Sequence, residues 1–310
     1  MSPVNYRYTI HRRRFLKVSA IATAGLCIPL NVRSQANLQT VRFGLVTDSH
    51  YADRDPLGTR YYRESLTKMK EFIQVMENNN VDFIIHLGDF KDQDPQEQQS
   101  DTLRYLTSLE NIYTQFQGPT YHCVGNHDVD SITKDQFLRN VTNTGIDQNR
   151  SYYSFDHHSY HFVVLDANYH PDGRDHYYKE GADWQKTHIP QEQLEWLRRD
   201  LQQTKRPTVI FCHHPLYPFP ELQHTMQVGN YQVVQEILEN SGNTLAVFQG
   251  HVHREHHHES QGIHYLTQLG MVDYSGLDNN SFSIVEIKDA TSVVISGYKR
   301  VSDQQLSIGS

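Results

Sequence analysis

Five short apolar stretches in this chain each run straight into side chains that bind metal ions. Residues 41–47 lead to Asp48-Ser49-His50, 82–87 to Gly88-Asp89 and 120–124 to Gly125-Asn126-His127-Asp128. Residues 208–212 lead to His213-His214-Pro215, and 245–249 to Gly250-His251-Val252-His253. Short apolar runs without alternation mark strands buried on both faces. In an open α/β sheet, sites gather beyond the carboxyl ends of the strands, so groups distant in sequence can converge there. The donors are carboxylate, amide oxygen and imidazole, with no thiolate. That set suits Mn, Fe, Zn or Co and argues against an iron–sulfur or structural cysteine–zinc site. The glycines allow sharp turns and close backbone approach at the strand ends.

The segments between the blocks carry helical periodicity. Tyr62, Leu66, Met69, Phe72, Ile73 and Met76 recur at steps of three and four, as do Leu103, Leu106, Leu109, Ile112, Tyr113 and Phe116 within 96–116. The first half thus reads β-α-β-α-β. Residues 152–155 and 160–166 read as paired strands, 191–204 and 231–239 as helices, and 263–301 as three further strands. Residues 168–188 are long, polar and aromatic with no period, as in a lid or a disordered segment. Repeats, low-complexity tracts and linkers are not evident, so residues 37–310 are expected to form one domain.

Residues 1–36 differ from the rest. They hold six basic residues (Arg7, Arg12, Arg13, Arg14, Lys17, Arg33) and no acid. The apolar stretch 18–30 spans only ~20 Å as a helix, short of the ~30 Å hydrocarbon core. A basic region, a short apolar core and a small-residue exit near Ser34-Gln35-Ala36 describe an export signal. Arg12-Arg13-Arg14-Phe15-Leu16-Lys17 resembles the bacterial twin-arginine signal. The expectation is therefore export as a folded protein by the twin-arginine machinery, to the periplasm or outside, with no stable membrane insertion of the mature chain. Beyond the signal, 22 basic residues face 36 acidic ones. Such a body repels a phosphate backbone, so nucleic acid is not an expected partner.

In order, the five blocks resemble the DxH, GD, GNHD, HxP and GHxH signature of calcineurin-like metallophosphoesterases. The resemblance implies a two-sheet β-sandwich flanked by helices, a four-layer αββα arrangement of α/β (α+β) class. It implies two divalent metal ions (Mn, Fe, Zn or Co, with Mn favoured): one held by Asp48, His50, Asp89 and His253, the other by Asp89, Asn126, His213 and His251. Asp89 would bridge them. His127 would face the substrate as acid or charge stabiliser, with Asp128 orienting an imidazole. Phe90, Lys91 and Asp92 follow Gly88-Asp89, where purple acid phosphatases carry a tyrosine ligand, so no tyrosinate–iron colour is expected.

Residues 58–63, Gly-Thr-Arg-Tyr-Tyr-Arg, resemble a stretch of the manganese-dependent ADP-ribose/CDP-alcohol diphosphatases. That resemblance makes Arg60, Tyr61 and Arg63 candidate contacts to a small phosphorylated substrate, with helix start and core packing as the alternative. Asp166 to Tyr169 is a further candidate for the cleft. The implied activity is hydrolysis of a phosphodiester or nucleotide-diphosphate-type substrate by in-line attack of a metal-bridging hydroxide. A phosphate-scavenging phosphomonoesterase and a non-catalytic metal-binding relative are the alternatives. His86 and His122 are read as structural and His214 as pointing away from the metals. His256-His257-His258 is read as a solvated turn, and Cys123 and Cys212 as free thiols with a disulfide left open.

Overall fold

The computed structural model describes residues 38–220 and 226–308. The expected export signal, 1–36, lies outside the described residues. The first half runs β1 (Val41–Val46), α1 (Ser65–Asn78), β2 (Phe83–His86), α2 (Gln99–Tyr113), β3 (Thr120–His122) and α3 (Lys134–Leu138). The chain continues through β4 (Tyr153–His157), β5 (Tyr160–Leu165), α4 (Gln191–Gln203), β6 (Thr208–Cys212), α5 (Tyr231–Ser241) and β7 (Thr244–Gln249). It closes with β8 (His256–Ser260), β9 (Ile263–Thr267), β10 (Ser281–Lys288), β11 (Ser292–Lys299) and β12 (Gln304–Ser307).

These strands form two six-stranded sheets, ordered β12-β11-β10-β1-β2-β3 and β4-β5-β6-β7-β9-β8. Both are mixed. β1, β2 and β3 run parallel in the first, and β5, β6, β7 and β9 in the second. The apolar runs do not alternate because both faces of these strands are covered. On β1, Val41, Phe43 and Leu45 enter the core between the sheets, while Val46 joins the layer packed with Phe72 and Leu109 of α1 and α2. On β6, Val209 and Phe211 enter the same central core, and Ile210 and Cys212 pack with Leu197 and Leu238 of α4 and α5. The fold is thus the expected αββα sandwich. Phe43 marks its centre, stacked on Phe83 at 5.0 Å and edge-on to Phe162, Phe211 and Phe248 at 5.6–5.9 Å. Those edge-to-face contacts add about 0.5–1.5 kcal/mol each beyond burial.

Three elements differ from the sequence reading. His256-His257-His258 forms the start of β8, an edge strand paired antiparallel with β9, rather than a solvated turn. Nothing apolar marks it, and its neighbour supplies the pairing. β12 extends the strand-rich tail beyond residue 301. α3 is closed by a capping box. The Thr133 side chain accepts from the Gln136 amide at 3.2 Å, and Gln136 Oε1 accepts from the Thr133 amide at 2.9 Å. Cys123 and Cys212 are buried free thiols.

Candidate metal centre

The parallel strands of both sheets deliver the five blocks to one end of the sandwich. Backbone hydrogen bonds lock neighbouring blocks together: Asp48 N–H to Gly88 O at 3.0 Å, His50 N–H to Asp89 O at 2.9 Å and Gly250 N–H to His213 O at 3.0 Å. A side chain also crosses between the sheets, because Asp48 Oδ2 accepts from the His251 amide at 3.1 Å and from Thr47 Oγ1 at 2.6 Å. Two glycines are needed for this approach. A Cβ on Gly125 would collide with the Asp89 backbone and carboxylate, and one on Gly250 would collide with Thr47 and Asp48. Asp48, His50, Asp89, His251 and His253 all have positive φ, between 44° and 71°. Non-glycine residues reach this left-handed region at a cost and persist there when surrounding structure over-determines them.

The resulting geometry sorts the donors into two groups. His253 Nε2 lies 3.2 Å from Asp48 Oδ1, and His50 Nε2 lies 3.6 Å from that oxygen and 3.1 Å from His253 Nε2. On the other side, His213 Nε2 lies 3.2 Å from Asn126 Oδ1, and its ring centroid is 5.1 Å from that of His251. Asp89 stands between the groups. Its Oδ1 accepts from the His127 amide at 2.7 Å. Its Oδ2 is 3.5 Å from His50 Nε2 and 3.2 Å from His213 Nε2.

The outer edges of the imidazoles fix their tautomers. His213 Nδ1 donates to the Leu87 carbonyl at 2.9 Å, His50 Nδ1 faces Asp92 Oδ2 at 3.1 Å and His253 Nδ1 faces Asp273 Oδ2 at 2.7 Å. With hydrogen on Nδ1, each ring turns an Nε2 lone pair inward, as a ligand to a cation must. Asp48 Oδ1 and His251 Nε2 are buried with no hydrogen-bond partner among the described residues. Buried polar atoms are seldom orphaned, so the donor set and its orphans fit divalent ions. Burial and the neighbouring His213 lower the His251 pKa to about 3, keeping it neutral. For His253, burial pulls the other way from Asp48 and Asp273, and the carboxylates win, raising it to about 9. That end of the cluster attracts positive charge.

Comparison with known proteins agrees with this arrangement. The calcineurin-like phosphoesterase family model matches residues 41–255, which include all five blocks. The chain belongs to the calcineurin-like phosphoesterase family. It is 29% identical over 274 residues to a protein of Oryza sativa subsp. japonica named manganese-dependent ADP-ribose/CDP-alcohol diphosphatase, covering 73% of this chain and 81% of the relative. A protein of the same name from Arabidopsis thaliana is 26% identical over 281 residues, covering 75% and 86%. Among solved structures, a dimetal phosphatase from Danio rerio shares the fold with a TM-score of 0.74 at 20% identity, covering 87% of this chain and 99% of that one.

Beside the cluster this phosphoesterase has a cleft of about 320 Å³. Asp89, Asn126, His127 and His251 line its floor, and Arg60, Gln93, Asp130, Tyr178, Trp184 and Met226 complete the wall. The long segment 168–188 therefore supplies Tyr178 and Trp184. His127 Nδ1 lies 3.4 Å from Asp130 Oδ2 and 3.6 Å from Asp92 Oδ2. Burial lowers the His127 pKa, but Asp92 and Asp89 outweigh it and push it well above the usual histidine range.

Several sequence assignments change here. Asp128 does not orient an imidazole. Its carboxylate accepts from the amides of Gly125, Asp89, Phe90 and Lys91 at 2.8–3.3 Å, tying the turn after β2 to the turn after β3. Asp92 and Asp130 take the place beside His127, and Lys91 forms a buried ion pair with Asp130. Arg63 points elsewhere, paired with the exposed Asp53 and Asp55 at 2.6 and 2.8 Å. Tyr61 does not line the cleft either; its amide bonds to Val272 O at 2.9 Å. Arg60 does line it, 3.7 Å from Asp92. Asp166 is buried against Lys134 at 2.7 Å, away from the cleft.

His214 does not point away. The chain leaves extended pairing at Cys212, so strand alternation no longer applies, and the His214 ring packs 4.6 Å from that of His251. His86 and His122 are buried structural groups: His86 Nε2 bonds Ser49 Oγ at 2.9 Å, and His122 Nε2 is 3.1 Å from Glu110. Asp92, Asp130 and Asp273 were not singled out from sequence. Only the spacing of Asp92, three residues beyond Asp89, could have suggested one of them.

Proposed function

We propose that this chain is a dimetal hydrolase that cleaves a small diphosphate-containing ester or anhydride, of the ADP-ribose or CDP-alcohol class. The observation that carries the dimetal reading is the position of Asp89. One carboxylate oxygen is anchored to the His127 amide, and the other lies within 3.5 Å of a histidine from each donor group. In this reading Asp48, His50, Asp89 and His253 hold one ion, and Asp89, Asn126, His213 and His251 hold the other. Two bound divalent ions would supply a hydroxide near neutral pH and charge stabilisation for in-line displacement at phosphorus.

The chain's own residues account for the rest of the chemistry. Asp92, Asp273 and the Leu87 carbonyl hold three imidazoles in the ligating tautomer. His127, held cationic by Asp92 and Asp89, lines the cleft beside Asp89 and Asn126, where it can donate to a phosphoryl or leaving oxygen. Arg60 stands at the wall as the charged partner for a second phosphate. Trp184, 37% exposed, offers a flat apolar surface for a base.

The relatives' printed substrates and the cleft-facing Arg60 favour a diphosphate over a phosphomonoester. The test is a manganese-supplemented assay comparing ADP-ribose, a CDP-alcohol, bis-p-nitrophenyl phosphate and p-nitrophenyl phosphate. The diphosphates should have the highest kcat/KM. A preference for p-nitrophenyl phosphate, with ADP-ribose left intact, replaces this reading with a phosphomonoesterase.

We further propose, from the basic and apolar pattern of residues 1–36, that they act as a twin-arginine signal carrying the folded residues 37–310 out of the cytoplasm. Replacing Arg12 and Arg13 by lysine should leave active enzyme in the cytoplasm on cell fractionation. Unchanged periplasmic activity refutes that route.

A further inference from the structure

We infer that His257, Glu259 and His264 form a further metal site on the β8–β9 hairpin, separate from the cleft and taking a borderline divalent cation such as zinc. Glu259 and His264 are directly opposed in the antiparallel register, and His257 is two residues from Glu259. The pleat therefore puts all three side chains on one face. His256 and His258 take the other face, stacked on Tyr217 at 5.6 and 5.0 Å. His257 Nε2 lies 2.9 Å from His264 Nδ1, Glu259 Oε2 lies 3.8 Å from the same nitrogen, and one donor atom from each residue falls within 4.8 Å of the others.

His264 makes this arrangement informative. It is buried, 3% exposed, and its Nε2 bonds to the carbonyl oxygen of Ser307 at 3.1 Å. A carbonyl only accepts, so Nε2 carries the hydrogen, and in that tautomer Nδ1 presents a lone pair. That lone pair faces His257 Nε2 and the Glu259 carboxylate. The space between them is filled either by a hydrogen on His257 or by a cation. Two imidazoles and a carboxylate are the protein ligands of an open tetrahedral zinc site. Zinc–ligand bonds of about 2.0–2.2 Å place donors about 3.3 Å apart, between the two separations observed here. His257 and Glu259 are exposed and can rotate to meet an ion.

The bond to Ser307 also gives the site a structural consequence. Ser307 is on β12, the edge of the first sheet, while β8 and β9 close the second. An ion on His264 links the second sheet's edge hairpin to the last strand of the first.

The test uses untagged full-length protein, its cleft loaded with manganese, equilibrated with zinc chloride and then desalted. Elemental analysis should find one more zinc per chain in the wild type than in His257→Ala. Zinc should raise the Tm of the wild type more than that of His257→Ala, and Glu259→Gln should weaken zinc binding at least about tenfold. Asp89→Asn, which disturbs the cleft alone, should keep this one zinc. Both histidine and glutamate variants change exposed side chains, and circular dichroism establishes that they are folded. Equal zinc content and affinity in folded His257→Ala and wild type overturns the site, as does a folded Asp89→Asn protein that binds no zinc.

Discussion

Asp89 and Trp184 line the same cleft, and little else about them is alike. Asp89 follows a strand flanked on both sides by others, is 2% exposed, and has one oxygen gripped by the His127 amide. Trp184 sits in the long connection between β5 and α4, 37% exposed, its ring 5.8 Å from that of His251. The floor of the cleft is set by strand ends whose backbones bond to one another. Its wall is drawn from connections, where Tyr178 and Trp184 sit in turns bonded mainly within residues 167–188. Side chains on the floor have their geometry imposed by the sandwich, so losing one should damage chemistry. Side chains on the wall should affect which substrate is held.

The sharpest test of that contrast is Asp89→Asn. Turnover should fall by more than about 10³-fold, beyond the loss of a single oxyanion donor, and both ions should loosen together. Two tightly held ions with near-normal activity refute the bridging position. His127→Ala comes next. It should keep both ions and lose about 10²–10⁴-fold in rate, the range for removing an acid or charge stabiliser. A metal-free variant would make His127 a ligand and move it to the other side of the comparison.

On the wall, Arg60→Ala should raise KM for a diphosphate by about 1.5–3 kcal/mol and leave p-nitrophenyl phosphate nearly unaffected. Arg63→Ala, its ion pairs facing solvent, should change neither. Equal effects of the two arginines would remove Arg60 from the substrate.

The smallest effect belongs far from both regions. His161 is held between Asp200 at 2.8 Å and Asp156 at 2.7 Å. Burial lowers its pKa, but the two carboxylates raise it above the ordinary value of about 6.5. A raised folded value means the stabilisation is fully present below pH ~6.5 and lost as pH rises through the folded pKa. The Tm difference between wild type and His161→Gln should therefore shrink between pH 6 and pH 9, with activity unchanged. A constant difference would show that the pair does not titrate.

The same contrast explains what was legible in the sequence. Strand ends translate directly into positions, because a run such as 208–212 can be read as buried and the next residue then lies at the sheet's rim. The convergence of the five blocks at one rim followed from that, while the αββα architecture and the set Asp48, His50, Asp89, Asn126, His213, His251 and His253 came from the resemblance those blocks bear to calcineurin-like phosphoesterases. β8 was invisible because a strand of His, Glu and Ser has no apolar alternation and owes its existence to β9. α3 was missed although Thr133 and Gln136 carry a capping signature. Asp128 was misassigned because adjacency to His127 suggested a partnership, whereas the turn aims its carboxylate back at four amides. Arg60 and Arg63 looked equivalent from sequence, and only the turn before α1 separates them.

The left-handed backbone at Asp48, His50, Asp89, His251 and His253 has an evolutionary consequence. Each such residue costs on the order of 1–3 kcal/mol, a sum comparable to the whole stability of many domains. Glycine would relax these positions and β-branched residues would worsen them. Selection for heat resistance alone, with no demand for turnover, should therefore drift toward glycine at these positions. The side chains that the proposed ions would need stand against that drift, so a demand for turnover would have to hold them in place.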